Sequence, residues 1–209
     1  MDDYIQQTID VYDQTALEYA QQAEKYGVPK ERKKFCSLLS PGGMILDAGC
    51  GSGRDSAYFI ENGFGVVGVD LSDNLLAIAR KKAPGAQYIH MNLLDLDFPG
   101  DTFDGIWACA SLHHLRYADV PRVISRCYTM LKTSGIFFVL VKSGSGEHLK
   151  KEPSIPDKKR FFSYYSTEYV TTILTDAHFH ILDCYTFDEG ILYPERKGQW
   201  WVACFAQKK

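Results

Sequence analysis

The sequence predicts an α/β fold: a doubly wound sheet of about seven strands, mostly parallel, with an antiparallel hairpin at its C-terminal edge and helices on both faces, a three-layer α/β/α arrangement. Three observations predict it. Short apolar, β-branched runs alternate with amphipathic segments through the middle of the chain, the rhythm of a parallel sheet covered on both sides. The first run, MILDAG, stops in a glycine-rich turn. The last two apolar runs, HFHILDCYTF and QWWVACFAQ, partly alternate and are joined by a loop, which suits an antiparallel edge pair.

Residues 2–26 carry Ile5, Ile9, Tyr12, Ala16, Tyr19, Ala20 and Ala23 at steps of three and four, which predicts one amphipathic helix ending near Gly27. Pro29 is placed to open a second helix through ERKKFCSLL. Residues 1–40 are therefore expected to form a helical cover on a single domain spanning 1–209. MILDAG reads as a buried strand and residues 54–62 as a helix, after which Gly63 and Gly65 open the strand FGVVGVD. Ser72 suits the N-cap of DNLLAIARKKA, which ends at Pro84-Gly85. AQYIHM and FDGIWACA follow as third and fourth strands, then a helix over roughly 118–131 with Pro121 in its first turn, then the strand GIFFVLVKS. Residues 143–163 hold SGSGE, Pro153, Pro156 and clustered charge, and read as a long loop on the substrate side. A helix at about 167–177 precedes the edge pair.

The 209 residues suffice for one domain with a real core, and 45% hydrophobic with 23% charged residues is globular composition. A formal charge of −3 argues against non-specific nucleic-acid binding, and KERKK (30–34) reads as a solvated surface run. The six cysteines are scattered, with no C-x-x-C pair and no His/Cys cluster at metal spacing, so no metal is expected. MDDYIQQTID lacks the pattern of a secretory signal, and GIFFVLV is far too short to cross a bilayer. These features predict a reduced, cytoplasmic protein with no membrane partner, as a monomer or homodimer.

A strand that runs into a glycine turn and a helix opens a crevice at the carboxyl end of the sheet. Glycines let a ligand approach the backbone there. Asp70, at the end of the next strand, is placed to accept both hydroxyls of a ribose. A dinucleotide site would read G-x-G-x-x-G, with a pyrophosphate on the helix N-terminus. Here the spacing is Gly49-x-Gly51-x-Gly53, with Asp47 just upstream. A carboxylate directed into the crevice would repel pyrophosphate and suit a cationic, phosphate-free nucleoside, which favours S-adenosylmethionine over NAD.

The chain here resembles the class I S-adenosylmethionine-dependent methyltransferases, and among them the small bacterial type (the type 11/12-like group) that acts on small molecules. LDAGCGSGRDS (46–56) is similar to that family's first motif and VVGVDLS with NLLAIAR (66–80) to its second. FDGIWACASLHHL (103–115) resembles the fourth-strand motif, and MLKTSGIFFVL (130–140) the passage into the fifth strand, with Thr133 and Ser134 where proline and glycine are usual. The resemblance spans about 35–209 and implies a Rossmann-like sheet and methyl transfer from S-adenosylmethionine, yielding S-adenosylhomocysteine. It also implies site roles. The backbone at Gly49, Gly51 and Cys109 would line the methionine part, with Asp47 near its ammonium and Arg54 on its carboxylate. Asp70 would bind the ribose, Leu71 would pack on the adenine, and Asn92 and the Leu93 amide would meet its edge. Asparagine at 92 departs from the commoner aspartate but keeps an acceptor oxygen.

His113, His114 and Glu147 are candidate general bases for an oxygen acceptor, the histidines because they titrate near neutrality; the competing reading is that they form pocket wall. VYDQTALEYA resembles the tyrosine segment that covers the cofactor in many small-molecule members, which makes Tyr12 and Tyr19 candidates for the substrate side or for lid packing. Phe161, Tyr164 and Tyr165 of RFFSYYS are candidates to stack on an acceptor or enclose a cation, and Lys142 is a candidate for the same mouth. The Cys50 thiol reads as steric. No Asp/Asn-Pro-Pro-Tyr follows the fourth strand and no Pro-Cys pair is present, which disfavours adenine-N6, glutamine-amide and cytosine-C5 methylation. A small-molecule O-, N- or S-methyltransferase is the primary reading. The alternatives are a tRNA- or protein-modifying methyltransferase, a NAD-dependent oxidoreductase, or a non-catalytic S-adenosylmethionine-binding module.

Overall fold

A computed structural model describes residues 2–153 and 155–209. Helices α1 (Asp3–Gln14), α2 (Ala16–Lys25) and α3 (Pro29–Ser37) precede the sheet. Strand β1 (Met44–Ala48), helix α4 (Arg54–Glu61), strand β2 (Gly65–Asp70), helix α5 (Asp73–Lys82) and strand β3 (Gln87–His90) form the first half. Strand β4 (Phe103–Cys109), helix α6 (Val120–Met130) and strand β5 (Leu131–Lys142) follow. Strands β6 (Glu147–Glu152) and β7 (Ile155–Ser163), helix α7 (Thr167–Asp176), and strands β8 (Phe179–Asp188) and β9 (Trp200–Lys208) complete the chain.

Seven strands pair in the order β3-β2-β1-β4-β5-β9-β8. Pairing is parallel from β3 through β5, while β9 runs antiparallel between β5 and β8. The chain leaves β1 toward β2 on one side and reaches β4 on the other, and such a reversal opens a crevice beyond the carboxyl ends of the strands.

Successive side chains on a strand face opposite sides, and the central strands use both. Leu46, Ile106, Phe137 and Val139 enter the core under α6 and α7. Ile45, Trp107, Phe138 and Phe205 enter the one under α3 and α4. Trp107 and Phe138, partners across β4 and β5, stack with centroids 4.0 Å apart. Trp107 is fully buried, and truncating so large a side chain to alanine typically removes ~3–5 kcal/mol.

Two expectations are corrected. The segment 2–26 is two helices, broken at Thr15, whose hydroxyl turns back to the carbonyl of Val11 at 2.7 Å. Residues 143–163 are not a loop over their length, because β6 and β7 form an antiparallel hairpin with Glu147 opposite Ser163. The first strand of that hairpin, EHLKKE, is exposed along most of its length, so it carries no apolar alternation to mark it.

The first helix is pinned at both ends. Tyr4 packs on Phe161 of β7 with ring centroids 4.5 Å apart, and the Phe161 amide donates to the Thr8 hydroxyl at 3.2 Å. At the other end Asp13 accepts the Ser72 hydroxyl and the Asn74 amide at the start of α5. Among the described residues, no helix is long and apolar enough to cross a membrane.

Candidate active site

The glycine turn is shaped by what would collide with a side chain. Gly49 has φ +84°, and a Cβ built there lies 2.3 Å from Cβ of Ser111. Ser111 is itself fixed by its hydroxyl, which donates to the Ala48 carbonyl at 2.6 Å. Gly51 has φ +52°, and a Cβ there would meet only the Tyr19 ring, at 3.8 Å. The Gly51 amide donates to one oxygen of Asp70 at 2.9 Å, and the Ser72 amide to the other at 2.9 Å. The acid is thereby held at the mouth of the turn, and its burial raises its pKa.

Two cavities flank this point. The turn-side cavity, about 120 Å³, is lined by Gly49, Gly51, Asp70, Leu71, Asn92 and Leu93 among others. Among the described residues no lysine or arginine lines it, and Asp70 is its one carboxylate. The hairpin-side cavity, about 100 Å³, is lined by rings, notably Tyr26, Phe162, Phe187 and Trp201, and by charged side chains. Tyr12, Tyr19, Cys109 and Ala110 line both. They are a common wall. Ala110 takes a positive φ of 58° there, a strained setting for a residue with a Cβ.

A hydrogen-bond chain holds that wall. The Phe161 carbonyl can only accept, so Nδ1 of His114, 2.7 Å away, carries the proton. Nε2 of His114 is then the acceptor for the Tyr12 hydroxyl at 2.9 Å, and the Tyr12 oxygen accepts from Nη1 of Arg160 at 2.6 Å. Burial, helped by the Arg160 charge, depresses the His114 pKa to about 3. His113 is also held well below its ordinary value, by burial and then by His114, and its Nδ1 is buried with no hydrogen-bond partner among the described residues. Both imidazoles are neutral at pH 7.

Residues 46–139 match a family model described as a methyltransferase domain. The chain is 35% identical over 116 residues to a demethylmenaquinone methyltransferase of Symbiobacterium thermophilum, covering 49% of this chain and 44% of that protein. A SAM-dependent methyltransferase from Methanosarcina mazei shares the fold with a TM-score of 0.74 at 19% identity, covering 88% of this chain and 98% of that one. So does a 1,6-didemethyltoxoflavin-N1-methyltransferase from Burkholderia thailandensis, solved with 1,6-didemethyltoxoflavin and S-adenosylhomocysteine, with a TM-score of 0.70 at 23% identity and coverages of 99% and 86%. Residues 46–139 thus form a domain of the methyltransferase family, and the chain has the fold of S-adenosylmethionine-dependent methyltransferases. It spans less than half the length of curated relatives it matches, with matched shares of 47, 44 and 31% in three of them.

The turn-side cavity fits the cofactor of this methyltransferase family. Its single carboxylate and lack of lysine or arginine among the described residues suit a positively charged nucleoside and offer nothing to a pyrophosphate. That charge reading needs one correction: the acid at the cavity is Asp70, not Asp47. Asp47 is 2% exposed, lines neither cavity, and accepts the Ser56 hydroxyl of α4 at 2.6 Å. Burial, with the neighbouring Asp55, pushes it up to about 7.

Gly49, Gly51, Asp70, Leu71, Asn92, Leu93 and Cys109 all line the turn-side cavity. Asn92 Oδ1 already accepts the Leu94 amide at 3.0 Å, so an adenine amino group would use its second lone pair. Arg54 lines only the other cavity. Its guanidinium grips Asp55 through Nε at 2.9 Å and Nη2 at 2.8 Å, and donates through Nη1 to the carbonyls of Ala23 and Tyr26. It latches α2 to the sheet, with little left for a cofactor carboxylate. The Cys50 thiol is buried, and burial pushes its pKa well up.

Of the substrate-side candidates, Tyr12 and Tyr19 form the common wall, whereas Phe161, Tyr164 and Tyr165 line neither of the two cavities. Phe161 is spent on Tyr4, Tyr165 packs against Tyr117, and the Tyr164 hydroxyl donates to Glu152 at 2.8 Å. Glu147 lies on the exposed hairpin strand and accepts the Tyr117 amide at 2.6 Å, away from both cavities. Sequence reasoning missed Arg160 and Phe162, which do line the hairpin-side cavity, as do Glu152, Glu189, Arg196 and Trp201. Reading RFFSYYS as a strand of period two would have put Arg160 and Phe162 on one face and Phe161 on the other.

Proposed function

We propose that this methyltransferase moves a methyl group from S-adenosylmethionine in the turn-side cavity to a small-molecule acceptor in the hairpin-side cavity. The observation that carries this reading is the wall of Tyr12, Tyr19, Cys109 and Ala110, where the two cavities meet. Asp70 would hold the ribose diol, Leu71 and Leu93 would flank the adenine, and the backbone at Gly49, Gly51 and Cys109 would line the methionine part. When bound, the cofactor supplies a methyl carbon on a sulfonium, a group that needs no further activation. The chain's own contribution is then alignment and exclusion of water. Tyr12 and Tyr19 stand at the junction, and α1, α2 and the hairpin roof it. His113 and His114, both neutral and weakly basic, line the site as wall and hydrogen-bonding groups rather than as strong proton acceptors.

The relative with 1,6-didemethyltoxoflavin supports a small-molecule acceptor by analogy of fold. Calorimetry with S-adenosylhomocysteine and with NADH tests the cofactor assignment: micromolar binding of the first and none of the second is expected. Binding of NADH alone would overturn it. Formation of S-adenosylhomocysteine during incubation with a small-molecule acceptor library, but not with bulk tRNA, tests the acceptor class. Turnover with tRNA alone would replace the small-molecule reading.

A further inference from the structure

The edge of the sheet brings two thiols face to face. Cys184 of β8 and Cys204 of β9 are register partners in the antiparallel pair. They meet because β8 is irregular. Strict alternation from Ile181 would turn Asp183 to the same side as Ile181. The register instead shifts between Ile181 and Asp183, and the extra residue reverses the order. Asp183 is left on the opposite side, where it bridges Lys34 of α3, while Ile181 and Cys184 both pack against the core under α6 and α7. Cys204 belongs to that core and is fully buried.

Residues directly opposite in an antiparallel pair have Cα atoms about 4.5–5.5 Å apart, and a disulfide spans about 4.4–6.8 Å between Cα atoms. The backbone is therefore already placed for a bridge. The surroundings give the two sulfurs different roles. Cys184 is half-buried on the outermost strand, with its Sγ 3.9 Å from the Thr167 carbonyl at the start of α7. Hydrogen bonding from the Cys204 thiol, joined by the Thr171 hydroxyl, holds the Cys184 pKa below the ordinary thiol value. The same contact and burial hold Cys204, sealed behind it, well above that value. The other four thiols, at Cys36, Cys50, Cys109 and Cys127, are all pushed up by burial. A partly exposed thiol of lowered pKa beside a second thiol is the setting in which cysteine oxidises and resolves to a disulfide.

We propose that Cys184 and Cys204 form a reversible dithiol–disulfide pair that takes a peroxide as its oxidant, with Cys184 as the attacking sulfur and Cys204 as the resolving one. The Cys184 thiolate attacks one peroxide oxygen, the O–O bond breaks and hydroxide leaves, which makes Cys184 a sulfenic acid. The Cys204 sulfur then attacks that of Cys184. The S–S bond forms, the S–O bond breaks, and the hydroxyl departs as water with the Cys204 proton. The two thiols together lose two electrons, and one peroxide becomes two waters. A small thiol reverses the bond by exchange. The same two strands carry Phe187 and Trp201, register partners three positions along, to the hairpin-side cavity, so the bond clips the outer wall of that cavity to the sheet. The pair forms whatever either cavity binds.

Hydrogen peroxide in small excess over the reduced protein, followed by alkylation, intact mass measurement and non-reducing peptide mapping, tests it. Two of the six thiols are expected to escape alkylation, in one peptide pair that joins Cys184 to Cys204, and dithiothreitol should restore both. Cys184→Ser should slow the loss of thiols at least tenfold. Cys204→Ala removes the resolving sulfur and should leave a sulfenic acid at Cys184 that dimedone traps, with no disulfide. Retention of all six thiols in the wild type, or a disulfide joining any other two cysteines, would overturn the proposal. A dimedone adduct on a different cysteine of the Cys204→Ala protein would overturn Cys184 as the attacking sulfur. The wild-type peptide map decides the pairing by itself, so a variant that fails to fold leaves the test intact.

Discussion

The Tyr12 hydroxyl donates to Nε2 of His114 at 2.9 Å, joining the first helix to the segment after β4 across 102 positions of sequence. The donor direction follows from the other ring nitrogen, whose proton is committed to the Phe161 carbonyl. Tyr12→Phe therefore removes at once an acceptor from Arg160 and a donor from His114, at a buried junction. Each such loss is worth ~1–3 kcal/mol. The variant is expected to lose stability of that order in urea denaturation while keeping S-adenosylhomocysteine affinity within about threefold, since the ring remains. A denaturation midpoint equal to the wild type's would mean that the chain of hydrogen bonds does not hold the wall.

Asp70 tests the proposed assignment of the turn-side cavity directly. Asp70→Ala deletes the one carboxylate there and strips two backbone amides of their acceptor. Charge-assisted hydrogen bonds of this kind are about twice as strong as neutral ones, so S-adenosylhomocysteine should bind at least tenfold more weakly by calorimetry. Equal affinity in the two proteins would show that another group takes the ribose.

The neutral histidines set a direction for pH. His114 is depressed to about 3 in the folded chain and titrates near 6.5 when unfolded. Between those values the unfolded state binds the extra proton. Its contribution to stability is therefore complete above about 6.5 and is lost as pH falls toward 3. His114→Gln keeps an acceptor for Tyr12 but cannot titrate. Unfolding free energies measured from pH 7 to 4.5 should fall more steeply for the wild type than for this variant. Parallel slopes would show that the ring is charged in the native state.

Gly49 has no room for even a methyl group. Gly49→Ala combines a left-handed backbone angle with a contact of 2.3 Å to Cβ of Ser111. Strain and overpacking each amount to ~1–3 kcal/mol, so a loss of about 2 kcal/mol or more is expected in chemical denaturation. A loss under ~0.5 kcal/mol would mean that the turn relaxes freely.

Arg54 is placed as a latch rather than as a ligand. Arg54→Met should release the carbonyls of Ala23 and Tyr26 and speed amide hydrogen exchange over residues 16–28 at least tenfold. Its effect on S-adenosylhomocysteine affinity should be smaller than that of Asp70→Ala. If affinity collapses and exchange is unchanged, the guanidinium serves the cofactor after all.

The parallel half of the fold was legible because its signals are local. Glycines stop β1, Asp70 ends β2, and Ser72 caps α5 with its hydroxyl accepting the Leu75 amide at 3.1 Å. The turn-side cavity followed for the same reason, since most of its lining lies within a few residues of a strand's end. The hairpin-side cavity was read poorly because its members come from α1, α2, β5, β7, β8 and β9 and meet only through tertiary packing. Phe161 and Phe162 are identical in composition and opposite in direction; the period of two separates them, but only the packing of Phe161 on α1 says which of them faces the cavity. Asp47 was misread for a similar reason. Its place before the glycines suggested the crevice, but its side chain turns to Ser56 under α4.

The attachments of α1 have one further consequence. The helix is fastened to α5 through Asp13 and to β7 through Thr8, so it straddles the turn-side and hairpin-side cavities as a single lintel. Under the proposed assignment of the two cavities, a displacement of α1 would uncover both together, and the loading and discharge of donor and acceptor would be mechanically yoked.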